Sequence, residues 1–177
     1  MTPRTTPSRL AQLWQLGERA IALLEHLQPV ALLAARIYVA LVFFRSGLTK
    51  IRDFDTTIAL FMDEYHVPLL DPTVAAYLGT AAELLLPVLL VAGLATRFAA
   101  AGLSVLNVVA VLSLAEIAEA ALQGHVFWGS LLALLLLWGP GRWSLDRRVL
   151  PALRRRMLGA GGESTGRYTG ARTTPQP

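Results

Sequence analysis

Three polar residues stand inside apolar runs, where each needs a partner. Arg36 interrupts "VALLAARIYVALVFFRSG", Val30 to Gly47, and Glu83 interrupts "VAAYLGTAAELLLPVLLVAGLA", Val74 to Ala95. Asn107 lies in the next apolar run. A charge at the centre of a bilayer costs at least about 2.5–3.5 kcal/mol. A guanidinium and a carboxylate in such runs are therefore expected to face each other or a water-filled cavity. Their chemistry has two readings. Arg36 and Glu83 form a clamp that fixes helix packing, or they line a pocket for a polar headgroup, a quinone or a small anion. In the pocket reading they are the candidate catalytic pair, orienting or protonating a quinone oxygen. With Asn107 they make the candidate cofactor-binding set, Arg36, Glu83 and Asn107. Pro87 lies four residues after Glu83, so the Glu83 carbonyl lacks its usual helical N–H partner.

A second polar layer is expected at the other end of the same helices, from Arg45, Lys50, Glu116, Glu119 and His125. Glu116 and Glu119 are three apart and share a helix face. With His125 or His66 they could offer oxygen and nitrogen ligands to a metal. Neither HxxxH nor ExxH occurs, so no metal site is assigned, and a solvated helix end is the simpler reading. Cysteine is absent. That excludes disulfides, thiolate nucleophiles, Cys-ligated clusters and direct thiol exchange. Paired axial histidines for haem are missing from the spans, and so are dinucleotide and P-loop signatures.

The elements that must position these groups follow from composition. Of 177 residues, 54% are hydrophobic and 16% charged, against about 25% charged in soluble domains. Lipid is the expected solvent for much of the surface. The net charge of +4 comes with Arg142, Arg147, Arg148, Arg154, Arg155 and Arg156 just after the last apolar run. That pattern marks cytoplasmic flanks rather than a nucleic-acid surface. The fold class is all-α, an integral membrane four-helix bundle with an N-terminal amphipathic helix. Residues 1–28 are a tip and an interfacial helix carrying Leu10, Leu13, Trp14, Ile21 and Leu24 on one face. Pro29 starts a new helix. Residues 29–148 are the membrane domain, with spans near Val30–Leu48, Val74–Ala95, Phe98–Ala115 and Leu122–Trp138. A short amphipathic helix near Phe54–Phe61 lies in the first connection, which is long enough to form a lid. Thr96 and Arg97 make a tight turn. Residues 149–177 are a basic, largely disordered tail. The arginines place both termini in the cytoplasm. If the first span starts at the membrane surface near Val30, Arg36 lies about 10 Å deep, within side-chain reach of Glu83 at about 18 Å.

These residues carry a family resemblance. "ARIYVALVFFRSGLTKIRDF" resembles the opening helix of DoxX family membrane proteins, with Arg36, Phe43 or Phe44, Gly47 and Lys50 at the matching positions. "TAAELLLPVLLVAGLATRFAAAGL" resembles the second family signature, with Glu83, Gly93, Thr96, Arg97 and Ala100. "GPGRWSLD", Gly139 to Asp146, resembles the third. The ordered set spans about residues 30 to 148. The resemblance implies a four-helix protein of the bacterial inner membrane. Some relatives belong to thiosulfate:quinone oxidoreductase, and others associate with oxidative-stress or thiol-detoxification complexes. The resemblance therefore implies a subunit of a quinone-linked oxidoreductase or detoxification system, with quinone as the candidate cofactor. A partner redox protein or a second copy would join it in the lipid bilayer. The alternative is a non-catalytic accessory protein, or one related to transport of a small molecule or metal. Whether the chain is itself an enzyme stays open at this point.

Overall fold

The computed structural model describes residues 9–147 together with 149, 151, 152 and 155. The described residues fold as five helices, α1 (Arg9–Arg52), α2 (Phe54–Asp63), α3 (Pro72–Ala92), α4 (Thr96–Ser113) and α5 (Glu119–Trp138). The all-α expectation holds. Four of them, α1, α3, α4 and α5, are long and apolar enough to cross a membrane. They form a closed ring, with α1 on α3, α3 on α4, α4 on α5 and α5 on α1. Direction alternates around the ring. Arg36 abuts Gly93 and Gly47 abuts Glu83 across α1 and α3, while Arg97 meets Leu137 and Asn107 meets His125 across α4 and α5.

The inward face of α1 follows from residue spacing. Pro29, Leu32, Arg36, Val39, Ala40, Phe43 and Gly47 are buried, at intervals of three or four that keep one side of a helix on its neighbours. With Leu90, Ala99, Ala100, Leu103, Leu132 and Leu135 these residues make the core. The other faces carry exposed large apolar side chains, including Leu41, Leu85, Val88, Val105, Leu112 and Leu137. That arrangement is stable where lipid replaces water. Small residues let the helices close in. A Cβ on Gly47 would stand 2.9 Å from Leu84 Cδ2, and one on Gly102 2.7 Å from Leu86 Cδ1.

Three features depart from the sequence reading. The break expected at Pro29 does not occur, and α1 runs through it for 44 residues. Proline already has a helical φ, and here it forfeits only the bond to the Glu25 carbonyl, on an exposed stretch where solvent or headgroups can replace it. From Arg9 to Gln28 every described side chain is exposed, so this segment projects from the bundle as an arm. The tight turn is also displaced. Thr96 and Arg97 belong to the first turn of α4, and the reversal is made by Gly93 and Ala95, at φ +67° and +48°. α5 begins at Glu119, three residues before the expected start at Leu122, and its 20 residues reach about 30 Å, the thickness of the bilayer core. Positions 149, 151, 152 and 155 are helical. The tip at 1–8 and most of the tail lie outside the described residues.

The first connection is ordered by local chemistry. Asp53 caps α2 by accepting from Thr56 N at 3.1 Å and Thr56 Oγ1 at 2.6 Å. Those bonds hold its carboxyl below the usual aspartate range. A lowered carboxyl supports the folded state above its unfolded value and loses that effect as pH falls through the lowered one. Hydrogen-exchange protection of the Thr56 amide, corrected for intrinsic rates, is therefore expected to fall below about pH 4. The protection should already be lost at neutral pH in Asp53→Ala. Unchanged protection in that variant would show that the cap does not hold the turn. After α2, His66 N donates to Ser113 O at 2.9 Å, and Tyr65 bridges Leu114. The connection is thereby pinned across the open end of the ring.

Candidate functional site

Polar groups gather at three levels of the bundle. At the end that holds the α3–α4 turn, Arg36 is 1% exposed and is the largest fully buried side chain. Its Nη2 donates to Trp143 O at 2.6 Å, while Nε and Nη1 find no partner. The Asp146 carboxylate supports the Arg36 charge electrostatically without a direct hydrogen bond to it. The Asp146 carboxylate accepts from Ala95 N at 2.7 Å and Thr96 N at 2.9 Å, so it caps α4 from fifty residues away in sequence. Asp146 N donates in turn to Gly93 O at 2.8 Å. Gly93 is required twice. Its φ is left-handed, and a Cβ there would run into Arg36 Nη1 and Ser144. The Gly139–Asp146 segment thus folds back to close this end around Arg36.

Midway along α4 and α5, Asn107 Nδ2 donates to His125 O at 2.9 Å, and Asn107 Oδ1 stands 2.8 Å from His125 Nδ1. The His125 ring meets Trp128 edge to face with centroids 5.0 Å apart. At the far end, Lys50 Nζ lies 2.6 Å from Glu83 Oε2 and 2.7 Å from Oε1. Lys50 also donates to Ser46 Oγ at 3.0 Å. The pair is only 21% and 14% exposed, so its attraction is weakly screened.

The expected Arg36–Glu83 pair does not form. Arg36 packs on Gly93, the end of α3, rather than about 10 Å inside the bundle. Glu83 lies ten residues before Gly93, about 15 Å along the axis. The matching level on α1 is ten residues after Arg36, at Ser46 and Gly47. The depth argument failed because α1 enters the bundle well after Val30. Lys50 was legible as the partner. It is two heptads beyond Arg36 on the same helix face and matches a family position. Asp146 left no local sign, since the amides it caps belong to a turn that only the tertiary fold brings near. His125 was assigned to a polar layer with Glu116 and Glu119. Both glutamates are exposed and do not join it, and no group of three metal-ligating side chains occurs among the described residues.

A cavity of about 1010 Å³ opens between these last two levels and under the α2–α3 connection. Its apolar walls include Phe43, Phe61, Leu78, Leu86, Leu106 and Trp128, and its polar atoms come from Arg45, Ser46, Lys50, Tyr65, Glu83, Ser113 and His125. Glu83 therefore faces the cavity. Arg36 does not, and Asn107 reaches it only through His125. Burial pushes the Tyr65 hydroxyl above its usual value, with Glu64 and Glu83 adding to the effect. It stays a protonated donor at physiological pH. A volume of this size suits a small amphipathic molecule.

Four apolar spans around a cavity with one polar wall define a polytopic α-helical membrane protein. The DoxX family model matches residues 31–116, from the inward face of α1 through α4 to Glu116. The chain is also similar to the inner membrane protein YphA of Escherichia coli (strain K12), 33% identical over 142 residues that take in 68% of this chain and 91% of that protein. The chain belongs to the DoxX family. No solved structure matches it.

Proposed function

We propose that this is a bacterial inner-membrane protein, both termini cytoplasmic, that binds a quinone in the cavity as the membrane subunit of a quinone-linked redox or detoxification system. The observation that carries the reading is the cavity itself, a large apolar space whose polar wall combines an ion pair, a phenol and an imidazole. Membrane location is supported by the four spans and by similarity to YphA. The orientation is supported by the bases Arg97, Arg142 and Arg147 at the end that holds the α3–α4 turn, with Arg9 and Arg19 on the arm, against Lys50 and Arg52 at the other. Within the candidate set, Glu83 is the ligand-facing carboxylate, and Asn107 acts behind His125. Arg36 closes the opposite end as a structural clamp.

The accessory reading is favoured by one feature. The arm exposes Leu10, Leu13, Trp14, Leu24 and Leu27, a surface that would carry a partner redox protein or a second copy. Native mass spectrometry of protein purified gently from its own membrane, with quinone extraction from the same sample, separates the two. Retained quinone, in its oxidised or its reduced form, is expected, and Leu86→Trp, which fills the cavity, should remove it without unfolding the bundle. Bulk lipid alone, with a co-purifying protein, would overturn the quinone reading in favour of the accessory one.

A further inference from the structure

We infer that the cavity takes a ligand whose head donates a hydrogen bond to His125, a hydroquinone or phenol on an apolar tail, and that Asn107 enforces this choice by fixing the His125 tautomer. The inference rests on reading the cavity as a ligand site. The geometry of one amide carries it. The His125 backbone carbonyl can only accept, so the Asn107 atom 2.9 Å from it is Nδ2. The atom left facing the ring, 2.8 Å from Nδ1, is then the amide oxygen. It too can only accept. Nδ1 must therefore carry the proton, and in the neutral imidazole Nε2 is left as an acceptor.

The surroundings lock this arrangement. Asn107 is 6% exposed, and a Cβ on Gly129 would stand 3.1 Å from its Nδ2, a tight contact, so glycine gives the amide its room. His125 lines the cavity while Asn107 does not, so the Nδ1 edge is engaged by a buried side chain outside the lining and Nε2 is the ring nitrogen free for a ligand. Around the ion pair the wall also favours a ligand donor, while the Tyr65 hydroxyl and the Arg45 guanidinium remain donors elsewhere on it. The Lys50 ammonium spends its hydrogens on Glu83 Oε1, Glu83 Oε2 and Ser46 Oγ, and the Glu83 carboxylate keeps spare lone pairs. A hydroxyl on the ligand satisfies Nε2. A quinone carbonyl in the same place sets acceptor against acceptor and leaves both without a bond to each other, the less favourable arrangement.

The test uses the full chain in lipid nanodiscs and three probes, decylubiquinol, decylubiquinone and 4-nonylphenol. The quinol is expected to bind about tenfold more tightly than the quinone, with the phenol following the quinol. Nitrogen-15 NMR of labelled histidine should show His125 protonated at Nδ1. Asn107→Leu frees the ring to protonate at Nε2 instead. In that variant the preference should fall to about twofold or less, with the NMR signal shifting accordingly. Equal binding of quinol and quinone that Leu86→Trp abolishes would overturn this inference and leave the cavity reading standing. An Nε2 proton in the unaltered protein would overturn it as well. Failure of all three probes to bind would remove the cavity reading and the inference with it.

Discussion

Asp146→Ala is expected to destabilise the protein by about 1–3 kcal/mol, the range for a lost cap and for buried amides left unsatisfied. Two losses combine. The amides of Ala95 and Thr96 lose the carboxylate that caps α4, and caps of this kind are worth about 0.5–2 kcal/mol. Arg36, 1% exposed, also loses the electrostatic support of the Asp146 carboxylate, although the two form no direct ion pair. Asp146→Asn should fall between, since an amide oxygen still accepts. Arg36→Met in the Asp146→Ala background should recover part of the loss, because a buried charge with no counterion is worse than an apolar side chain of similar volume. Thermal and denaturant unfolding in detergent reads these changes. The control is Glu83→Gln, whose effect should add to that of Arg36→Met within about 0.5 kcal/mol because the two sites share no partner. Strong coupling between Arg36 and Glu83, with none between Arg36 and Asp146, would refute the arrangement described for this end.

The second large effect is expected at the cavity wall. Lys50→Met leaves the Glu83 carboxylate, only 14% exposed, with Ser46 alone. The loss should be about 3 kcal/mol, the low end for a broken buried pair because some solvent reaches it. Adding Glu83→Leu should restore most of that stability by removing the stranded charge. Ligand retention should not return with it, since the double variant has an apolar wall where the native one is polar. Recovery of stability together with retention would reduce Lys50 and Glu83 to a clamp between α1 and α3. Recovery of neither would show that the loss in Lys50→Met does not come from the stranded Glu83 carboxylate.

The spans were legible because lipid demands length and apolarity from every crossing helix, and both are written linearly. The register between them was not. An apolar run says that a helix crosses, but not how far it has slid along its neighbour. Pro29 supplied a false origin, because a residue that is tolerated at a helix start is also tolerated within one when the freed carbonyl is exposed. The false origin put Arg36 at the depth of Glu83. Lys50 shows that the correct partner was within reach, through heptad spacing along α1. His125 shows the same for Asn107 only in part, since both fall in apolar segments but nothing local sets the direction of an amide.

The sequence by itself determined the membrane-spanning character, the number of long apolar helices, the likeness to one family and the need for each buried charge to find a partner. Each of these follows from composition or from spacing within one helix. Tertiary structure alone decided which charges meet. It set Arg36 beside Asp146 and Trp143, Glu83 beside Lys50, and Asn107 behind His125, because contacts between helices depend on axial offset and on a returning segment such as Gly139–Asp146. The cavity belongs to the same class. It is the space that four offset helices and one pinned connection fail to fill, and no single stretch of the chain encodes it.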